Sequence, residues 1–236
     1  MEQSWSEAVI LHWRIPASAA APHLPAGVEP DVFDGSSWVG LIGFRMAGVR
    51  LGRALPVPWL GSFVEVNVRL YSRGADGSRG VVFRSLDAPR LPVVLAARAL
   101  GVPYVWSRCR STAAPAAAGV HGYEVRRRRG QARSSFAVRP DRGVQADDEL
   151  SLQLTARFGM HFRLAGTTVF LPVSHRPWPL HPAGLVHLDD GLVASAGLGV
   201  AGPPESVLYS PGVDTVFGRP WPVRAPAAGR TGTVAP

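Results

Sequence analysis

Four polar side chains alternate with apolar ones in the segment FVEVNVRLYS, residues 63–72. The polar positions are Glu65, Asn67, Arg69 and Tyr71, and valine or leucine stands between them. A period of two is typical of a β-strand, so the four polar side chains share one face. Neighbours on that face lie about 6–7 Å apart, because a strand rises about 3.3 Å per residue. Such a row has the dimensions to hold one small polar ligand.

The side chains of this row differ in the chemistry they can perform. Arg69 offers a forked donor for a carboxylate or an enolate, and Glu65 can transfer a proton if its surroundings raise its pKa. Asn67 and Tyr71 can stabilise negative charge that develops on oxygen. The alternative interpretation is an ordinary sheet whose polar face meets water. Asparagine is, however, disfavoured within strands.

The absence of lysine excludes one mechanism. All 25 basic residues are arginine. An imine forms from a side-chain amine, whereas a guanidinium stays protonated, so covalent imine catalysis through a lysine is excluded. The single cysteine, Cys109, excludes an internal disulfide and a multi-cysteine metal site, and we interpret it as a small buried strand residue.

The formal charge of +8 includes one dense basic cluster, RRRRG at residues 126–130. It stands between two short strand-like segments, which favours a solvated hairpin rim over a phosphate-binding patch. No aromatic residues interleave with it, so we expect no nucleic-acid partner. Motifs for ATP, nicotinamide cofactors and serine hydrolases are also missing, and we expect no cofactor.

Membrane and metal readings find no support in the sequence. The first residues are acidic where a secretory signal is basic, and no run approaches the about 18–20 apolar residues that span a bilayer. We therefore expect a soluble, cytoplasmic protein with no membrane partner. His161, His175, His181 and His187 lack the close, carboxylate-rich spacing of metal sites, so no metal is predicted.

Twenty-two prolines and 26 glycines divide the chain into short segments, as β-rich folds require. Strands are predicted at 7–13, 36–50, 62–71, 80–86, 104–111, 121–128, 133–139, 158–163, 167–174, 184–188, 191–196, 206–210 and 213–217. Helices are predicted from Pro89 to Leu100, after Asp147 as N-cap, and near Ser18 to Leu24. We expect a single domain over residues 1–222, mainly antiparallel β in a closed arrangement with two or three helices, and a disordered tail at 223–236.

Seven segments between residues 12 and 214 resemble, in order, the sequence blocks of the YqjF-like family of the acetoacetate-decarboxylase-like superfamily. They are HWRIP (12–16), LPAGVEPDVFDGSSWVGLIGFRM (24–46), FVEVNVRLY (63–71), FRSLDAP (83–89), VPYVWSRC (102–109), SHRPWPL (174–180) and VLYSPGVD (207–214). The resemblance implies a closed antiparallel β-barrel or double β-cone with a central cavity. It also implies that the E-x-N-x-R-x-Y strand faces that cavity.

The resemblance extends the set of candidate site residues. With the chemistry of these side chains, it leads us to predict that Glu65, Arg69 and His175 are catalytic. The ligand-binding residues that it implies are Asn67, Tyr71, Tyr104 and Trp178. Acetoacetate decarboxylases use a cavity lysine, which this chain lacks.

Three functional hypotheses follow. The first is an enzyme that acts on a small carbonyl or carboxylate metabolite by acid–base catalysis, through decarboxylation, dehydration, enolisation or cyclisation. The second is a non-catalytic protein that binds a metabolite in the same cavity. The third is a structural or interaction module whose polar row fixes strand register. Homo-oligomers through a sheet edge are compatible with all three.

Overall fold

The computed structural model of the chain describes residues 1–50, 61–112 and 119–224, and at residues 49 and 50 it describes the backbone alone. The strands in these ranges are β1 Glu2–Ile15, β2 Val28–Pro30, β3 Ser37–Arg50, β4 Phe63–Gly74, β5 Arg79–Ala88, β6 Tyr104–Ser111, β7 His121–Arg127, β8 Arg133–Pro140, β9 Gly159–Leu164, β10 Thr167–His175, β11 His181–Asp190, β12 Ser206–Phe217 and β13 Trp221–Pro222. The helices are α1 Ala17–Ala20, followed by a 3-10 turn at Ala21–His23, α2 Leu91–Ala99, α3 Glu149–Thr155 and α4 Leu192–Ser195.

The strand pairings close two rings that share five strands. One ring follows the order β4, β5, β6, β7, β8, β11, β12, β1, β3 and returns to β4. The other runs from β5 through β9 and β10 to β12, and returns through β1, β3 and β4. The pairings are antiparallel except β5 with β6 and β5 with β9, which are parallel. The prediction of a closed, mainly antiparallel β fold is confirmed.

The shared strands are covered on both faces, which explains their dense apolar sequence. On one face, Val9, Val66 and Val68 pack against Tyr123 and Phe136 of β7 and β8. The opposite face carries a second apolar cluster and the polar row of β4, and it lies beneath α2, α3, β9 and β10. Its apolar members include Ile10, Ile42, Phe44, Val94 and Leu180.

The predicted strand at 191–196 is wrong, because this segment forms α4. The Asp190 carboxylate accepts hydrogen bonds from the backbone amides of Leu192 and Val193 at 3.1 and 3.0 Å. This contact turns the chain at the point where β11 ends, and it buries both apolar side chains. Alternation read from sequence does not detect a turn of this kind, because an aspartate cap favours a helix start independently of hydrophobic period.

The helix predicted after Asp147 is present, but its N-cap is Asp148. The Asp148 carboxylate accepts from the Ser151 amide at 3.0 Å. The segments 206–210 and 213–217 form one strand, β12, and the predicted helix over Pro89–Leu100 is α2, which begins at Leu91. Asp87, which precedes that helix in the sequence, lies in β5.

The sequence predicts a domain that ends at residue 222 and a chain without a membrane-spanning segment. The β-sheet extends to Trp221–Pro222, and the Val223 amide donates to the Thr168 carbonyl at 3.0 Å. Residues 225–236 of the predicted tail lie outside the described residues. Within the described ranges, the helices are all too short or too polar to cross a lipid bilayer.

Candidate functional site

The polar row of β4 points into the protein rather than to water. Glu65 and Asn67 are each 2% exposed, Tyr71 is fully buried, and Arg69 is half-buried. The alternating valines and Leu70 fill the opposite face. The alternative of a solvent-facing sheet is therefore wrong, and the row lies on the interior face as the family resemblance implies.

His12 of β1 reaches this row across an intervening strand. β3 lies between β1 and β4, and its residue Gly40 stands opposite both His12 and Arg69 in the pairing registers. A Cβ atom at Gly40 would lie 2.7 Å from Ile42 Cδ1, 3.2 Å from Tyr71 Oη and 3.3 Å from His12 Cδ2. Because Gly40 has no side chain, His12 Nε2 and Tyr71 Oη meet at 2.5 Å.

The His12 ring makes a hydrogen bond through each of its two nitrogens. Arg69 Nε donates to Tyr71 Oη at 3.3 Å, and the same hydroxyl forms a hydrogen bond with His12 Nε2. His12 Nδ1 forms a hydrogen bond with Ser206 Oγ at 3.3 Å. Burial, followed by the positive charges of Arg69 and Arg157, holds the pKa of His12 well below its usual value. His12 is thus a neutral imidazole that fixes the Tyr71 hydroxyl.

Glu65 is the ionisable group of this face with a pKa near physiological pH. Burial raises its pKa to about 7, and the Asp87 charge adds to the rise. Hydrogen bonds from Tyr104 and Asn67 oppose the shift. The Tyr104 hydroxyl donates to Glu65 Oε2 at 2.7 Å. A carboxyl group in this range can both give and take a proton at neutral pH.

Arg69 has cationic donors that no carboxylate of the described residues neutralises. Its Nε contacts Tyr71 Oη, and its guanidinium carbon lies 5.5 Å from the Tyr71 ring centroid. Residues 51–60, 113–118 and 225–236, which the structure does not describe, contain no aspartate or glutamate side chain. The amino groups of Arg69 are thus available for an anion.

Arg157 differs from Arg69 because it is already paired. It is buried, with its guanidinium carbon 5.1 Å from the Tyr71 ring centroid. Its Nη1 donates to Asp31, which also accepts from Arg79 Nη2 at 2.8 Å. We assign Arg157 a positioning role for Tyr71.

Asn67 leaves one buried atom without a partner among the described residues. Its side chain donates a hydrogen bond to Glu65, whereas its Oδ1 accepts none. An unsatisfied buried acceptor costs about 1–3 kcal/mol. A ligand with a hydroxyl or amine proton would satisfy it.

His175 and Trp178 belong to an aromatic cluster, and His175 Nε2 lies 3.4 Å from the Arg157 carbonyl oxygen. His175 ends β10 and packs between Phe158 and Trp178, with ring centroids 4.9 and 5.6 Å away. Its Nδ1 donates to the Arg176 carbonyl at 2.7 Å. Among the described residues no hydrogen bond joins His175 to Glu65 or Arg69. The structure brings together Glu65, Asn67, Arg69, Tyr71 and Tyr104, and it places His175 and Trp178 in a neighbouring aromatic cluster with Trp5.

The interpretation from sequence gave no role to His12, Asp31 or Arg157. For His12 a signal exists, because Ala8, Ile10 and His12 alternate with the core residues of β1 in the same way as the β4 row. For Asp31 and Arg157 no local signal exists, because they are 126 positions apart. Nowhere in the described ranges do three or more His, Cys, Asp or Glu side chains gather as metal ligands.

The elevated pKa of Glu65 predicts how stability depends on pH. The folded state binds the Glu65 proton more tightly than the unfolded state, whose pKa is near 4.5. The resulting stabilisation is complete below pH 4.5 and is lost as the pH rises through about 7. The glutamine of Glu65→Gln stays neutral. The free energy of unfolding of this variant, relative to that of the wild type, should therefore rise by up to about 3 kcal/mol between pH 5 and pH 8.

Urea unfolding at both pH values measures this difference. Glu124→Gln, a change at a more exposed glutamate, is the matched control and should show a much smaller change with pH. A pH-independent difference for Glu65→Gln would mean that Glu65 titrates as an ordinary surface carboxyl.

The protein has a closed β fold with a polar interior face. Comparison with known proteins identifies the family to which it belongs. Residues 2–214 match the model of the DUF2071 family, described as an uncharacterized conserved protein. The chain belongs to this family. The uncharacterized protein YqjF of Bacillus subtilis (strain 168) is 26% identical over 230 residues, which cover 95% of this chain and 91% of YqjF. The assignment to the YqjF-like family is confirmed.

Solved structures show the same fold at low sequence identity. The enduracididine biosynthesis enzyme MppR complexed with pyruvate has a TM-score of 0.65 at 17% identity and covers 95% of this chain and 90% of MppR. An acetoacetate decarboxylase-like enzyme from Sphingomonas wittichii RW1 has a TM-score of 0.65 at 12% identity, with 95% of this chain and 93% of that one covered. The chain therefore has the acetoacetate-decarboxylase-like fold.

Proposed function

We propose that this protein is an enzyme that moves a proton on a small carbonyl or carboxylate metabolite without a covalent imine. One observation carries the proposal. Glu65, a buried carboxyl with a pKa of about 7, lies four residues along the same interior strand face from Arg69, a cation with no carboxylate partner among the described residues. A proton-transfer group and an anion anchor are the two parts that such chemistry requires.

We assign substrate binding to the Nη atoms of Arg69. A carboxylate accepts two parallel hydrogen bonds from a guanidinium, which fixes both the position and the orientation of the substrate. The contact of Arg69 Nε with Tyr71 Oη limits the rotation of the guanidinium. The His12 and Arg157 contacts hold Tyr71 in turn. An anion bound in this way spans toward Glu65, which lies about 13 Å along the strand at the Cα level.

Glu65 can transfer the proton in each of two candidate reactions. In enolisation, the Glu65 carboxylate takes a proton from the carbon beside the carbonyl, and the C–H electron pair becomes the double bond of an enolate. In decarboxylation of a 3-oxo acid, the C–C bond to the carboxylate breaks, carbon dioxide leaves, and the Glu65 acid protonates the carbon of the resulting enolate. Asn67 Oδ1 accepts a hydrogen bond from a substrate hydroxyl.

The fold relatives suggest probes for this proposal. MppR has been solved with pyruvate and with the condensation product of pyruvate and imidazole 4-carboxaldehyde. Pyruvate carries a carboxylate for Arg69 and an enolisable methyl group, and longer 2-oxo acids cover more of the about 13 Å between the Arg69 and Glu65 Cα positions. We therefore select 2-oxo acids, starting with pyruvate, as test compounds.

Arg69→Gln should weaken the binding of a 2-oxo acid by about 10- to 100-fold, since a hydrogen bond to a charged group contributes about 1.5–3 kcal/mol. Isothermal titration calorimetry measures this effect. Arg73→Gln is the matched control, because Arg73 is an exposed arginine on the same strand. Equal affinities of wild type and Arg69→Gln would reject Arg69 as the anchor.

Catalysis is separated from binding by proton exchange. In deuterium oxide, an enzyme of this kind replaces the protons beside the carbonyl of a 2-oxo acid, and the loss of their proton NMR signal gives the rate. Binding without exchange or turnover across the panel would instead support the non-catalytic metabolite-binding hypothesis. Absence of binding, together with an altered oligomeric state in Arg69→Met, would support the interaction module.

A further inference from the structure

A concave surface lies on the exposed face of β6, β7 and β8. It has a volume of about 560 Å³. Glu124 and Asp189 line it together with five arginines: Arg108, Arg110, Arg126, Arg128 and Arg133. This groove, which we call the arginine groove, shares no lining residue with the polar row of β4. It belongs to the segment that the sequence analysis interpreted as a solvated hairpin rim.

Three of these arginines stand directly opposite one another across three strands. Arg108 of β6 pairs in register with Arg126 of β7, which pairs with Arg133 of β8. Directly opposed side chains in an antiparallel pair have Cβ atoms about 4.5–5.5 Å apart, and like charges in this position are destabilising. A row of three cations therefore weakens the free protein.

Among the described residues, the carboxylates of the groove pair with only one arginine of this row, Arg133. Arg110 Nε donates a hydrogen bond to Glu124 Oε2 at 2.8 Å, and Arg133 Nη2 lies 3.7 Å from Asp189 Oδ2. Arg108 and Arg126 form no ion pair with any described residue. The segments that the structure does not describe contain no aspartate or glutamate side chain. Two adjacent guanidinium groups are thus open to solvent without a counter-charge.

The RRRR run itself divides into different roles. Arg127 turns inward and donates to Asp87 through Nε at 2.9 Å. Arg128 stacks on Trp106, with its guanidinium carbon 4.3 Å from the ring centroid. Arg126 extends from the centre of the row into the groove, which Arg128 also lines. A hairpin that only needed solubility has no requirement for this arrangement.

We propose that the arginine groove binds a small multivalent anion that carries two or more linked phosphoryl groups. Planar guanidinium groups match the oxygen geometry of phosphate, and several of them in a row favour a ligand with more than one charged centre. The groove volume lies within the range of about 300–1,000 Å³ of small-ligand sites. A nucleic-acid strand fits less well, because Arg128 covers the nearest aromatic face on which a base would stack.

Titration with inorganic tripolyphosphate tests the site directly. At low ionic strength, Arg126→Gln should bind it at least about tenfold more weakly than the wild type, since one charge-assisted contact is lost. Arg139→Gln removes the same charge from the other end of β8 and should change the affinity by less than about twofold. Calorimetry on the full chain gives all three affinities.

Thermal melting provides an independent check that the variant folds. Without ligand, Arg126→Gln should melt at the same temperature as the wild type or higher, because the change relieves repulsion in the row. Tripolyphosphate should raise the melting temperature of the wild type and of Arg139→Gln, but much less that of Arg126→Gln. A lower melting temperature for ligand-free Arg126→Gln would show that the arginine row serves the fold and would overturn the proposal.

Two further results would also overturn it. One is wild-type protein that fails to bind tripolyphosphate at low salt, or that loses affinity equally in both variants. The other is tighter binding of a single-stranded oligonucleotide than of tripolyphosphate with the same sensitivity to Arg126→Gln, which would assign the groove to nucleic acid. The binding of 2-oxo acids should be unchanged in Arg126→Gln, so this test is independent of the function proposed for β4.

Discussion

Glu65→Gln is expected to reduce turnover, or proton exchange on a 2-oxo acid, by about 10²–10⁴-fold, the range that general acid–base catalysis contributes. Glutamine has nearly the same shape as glutamate but neither takes nor gives a proton. The carboxyl it replaces is 2% exposed, accepts from Tyr104 and has a pKa of about 7. Affinity for the substrate should change little, because Arg69 remains in place.

The pH profile separates a proton carrier from a residue that only shapes the site. Wild-type activity should change across a pKa near 7, and the same transition should be missing from the residual activity of Glu65→Gln. Glu29→Gln, an exposed change on β2, serves as the control for the loss of one carboxylate. Full activity in Glu65→Gln, combined with a loss in His175→Gln, would transfer the proton-carrying role to His175.

Strand alternation explains why the polar row was predictable. Four polar residues at a period of two share a face regardless of the rest of the fold, and the structure buries that face. The family resemblance then supplied the direction, inward, which alternation alone leaves open. The structure places Tyr104 beside this row, where its hydroxyl contacts Glu65, and its ligand-binding role stays a prediction.

Contacts between non-adjacent strands could not be predicted from the sequence. The His12–Tyr71 contact depends on the order β1, β3, β4 and on a glycine, Gly40, at the crossing point. Neither the strand order nor the register is written in a local pattern. The Asp31–Arg157 pair likewise joins a loop after β2 to the end of α3, so only the closed fold brings the two charges together.

The secondary-structure prediction failed for a short segment in which helix capping had more influence than the hydrophobic periodicity of the sequence. In α4, two amides bound by Asp190 start a helix in a stretch whose composition also suits a strand. The prediction of His175 as a catalytic residue depended on the SHRPWPL block, and such a block preserves a local conformation as readily as a reactive group. The structure gives His175 a backbone partner and aromatic neighbours, and its catalytic role stays a prediction.

Asp87→Ala is expected to lower the free energy of unfolding by about 3–5 kcal/mol, the usual loss when one partner of a buried ion pair is removed. Asp87 is fully buried and accepts from Arg127 through both carboxylate oxygens, at 2.9 and 3.1 Å, and from Ser107 Oγ at 2.6 Å. The change would leave the largely buried guanidinium without a counter-charge. Urea unfolding at neutral pH measures the loss.

An exposed ion pair on the same sheet provides the comparison. Glu124→Ala breaks the pair with Arg110, which lies near the surface, and should cost no more than about 1 kcal/mol. The double variant Asp87→Leu/Arg127→Met should recover most of the loss, because apolar residues that fill the same space leave no charge unpaired. Similar losses for Asp87→Ala and Glu124→Ala would contradict a buried pair.

Asp87→Asn should lower the pKa of Glu65, because the Asp87 charge helps to raise it. The pH profile of activity should therefore shift toward acid in this variant.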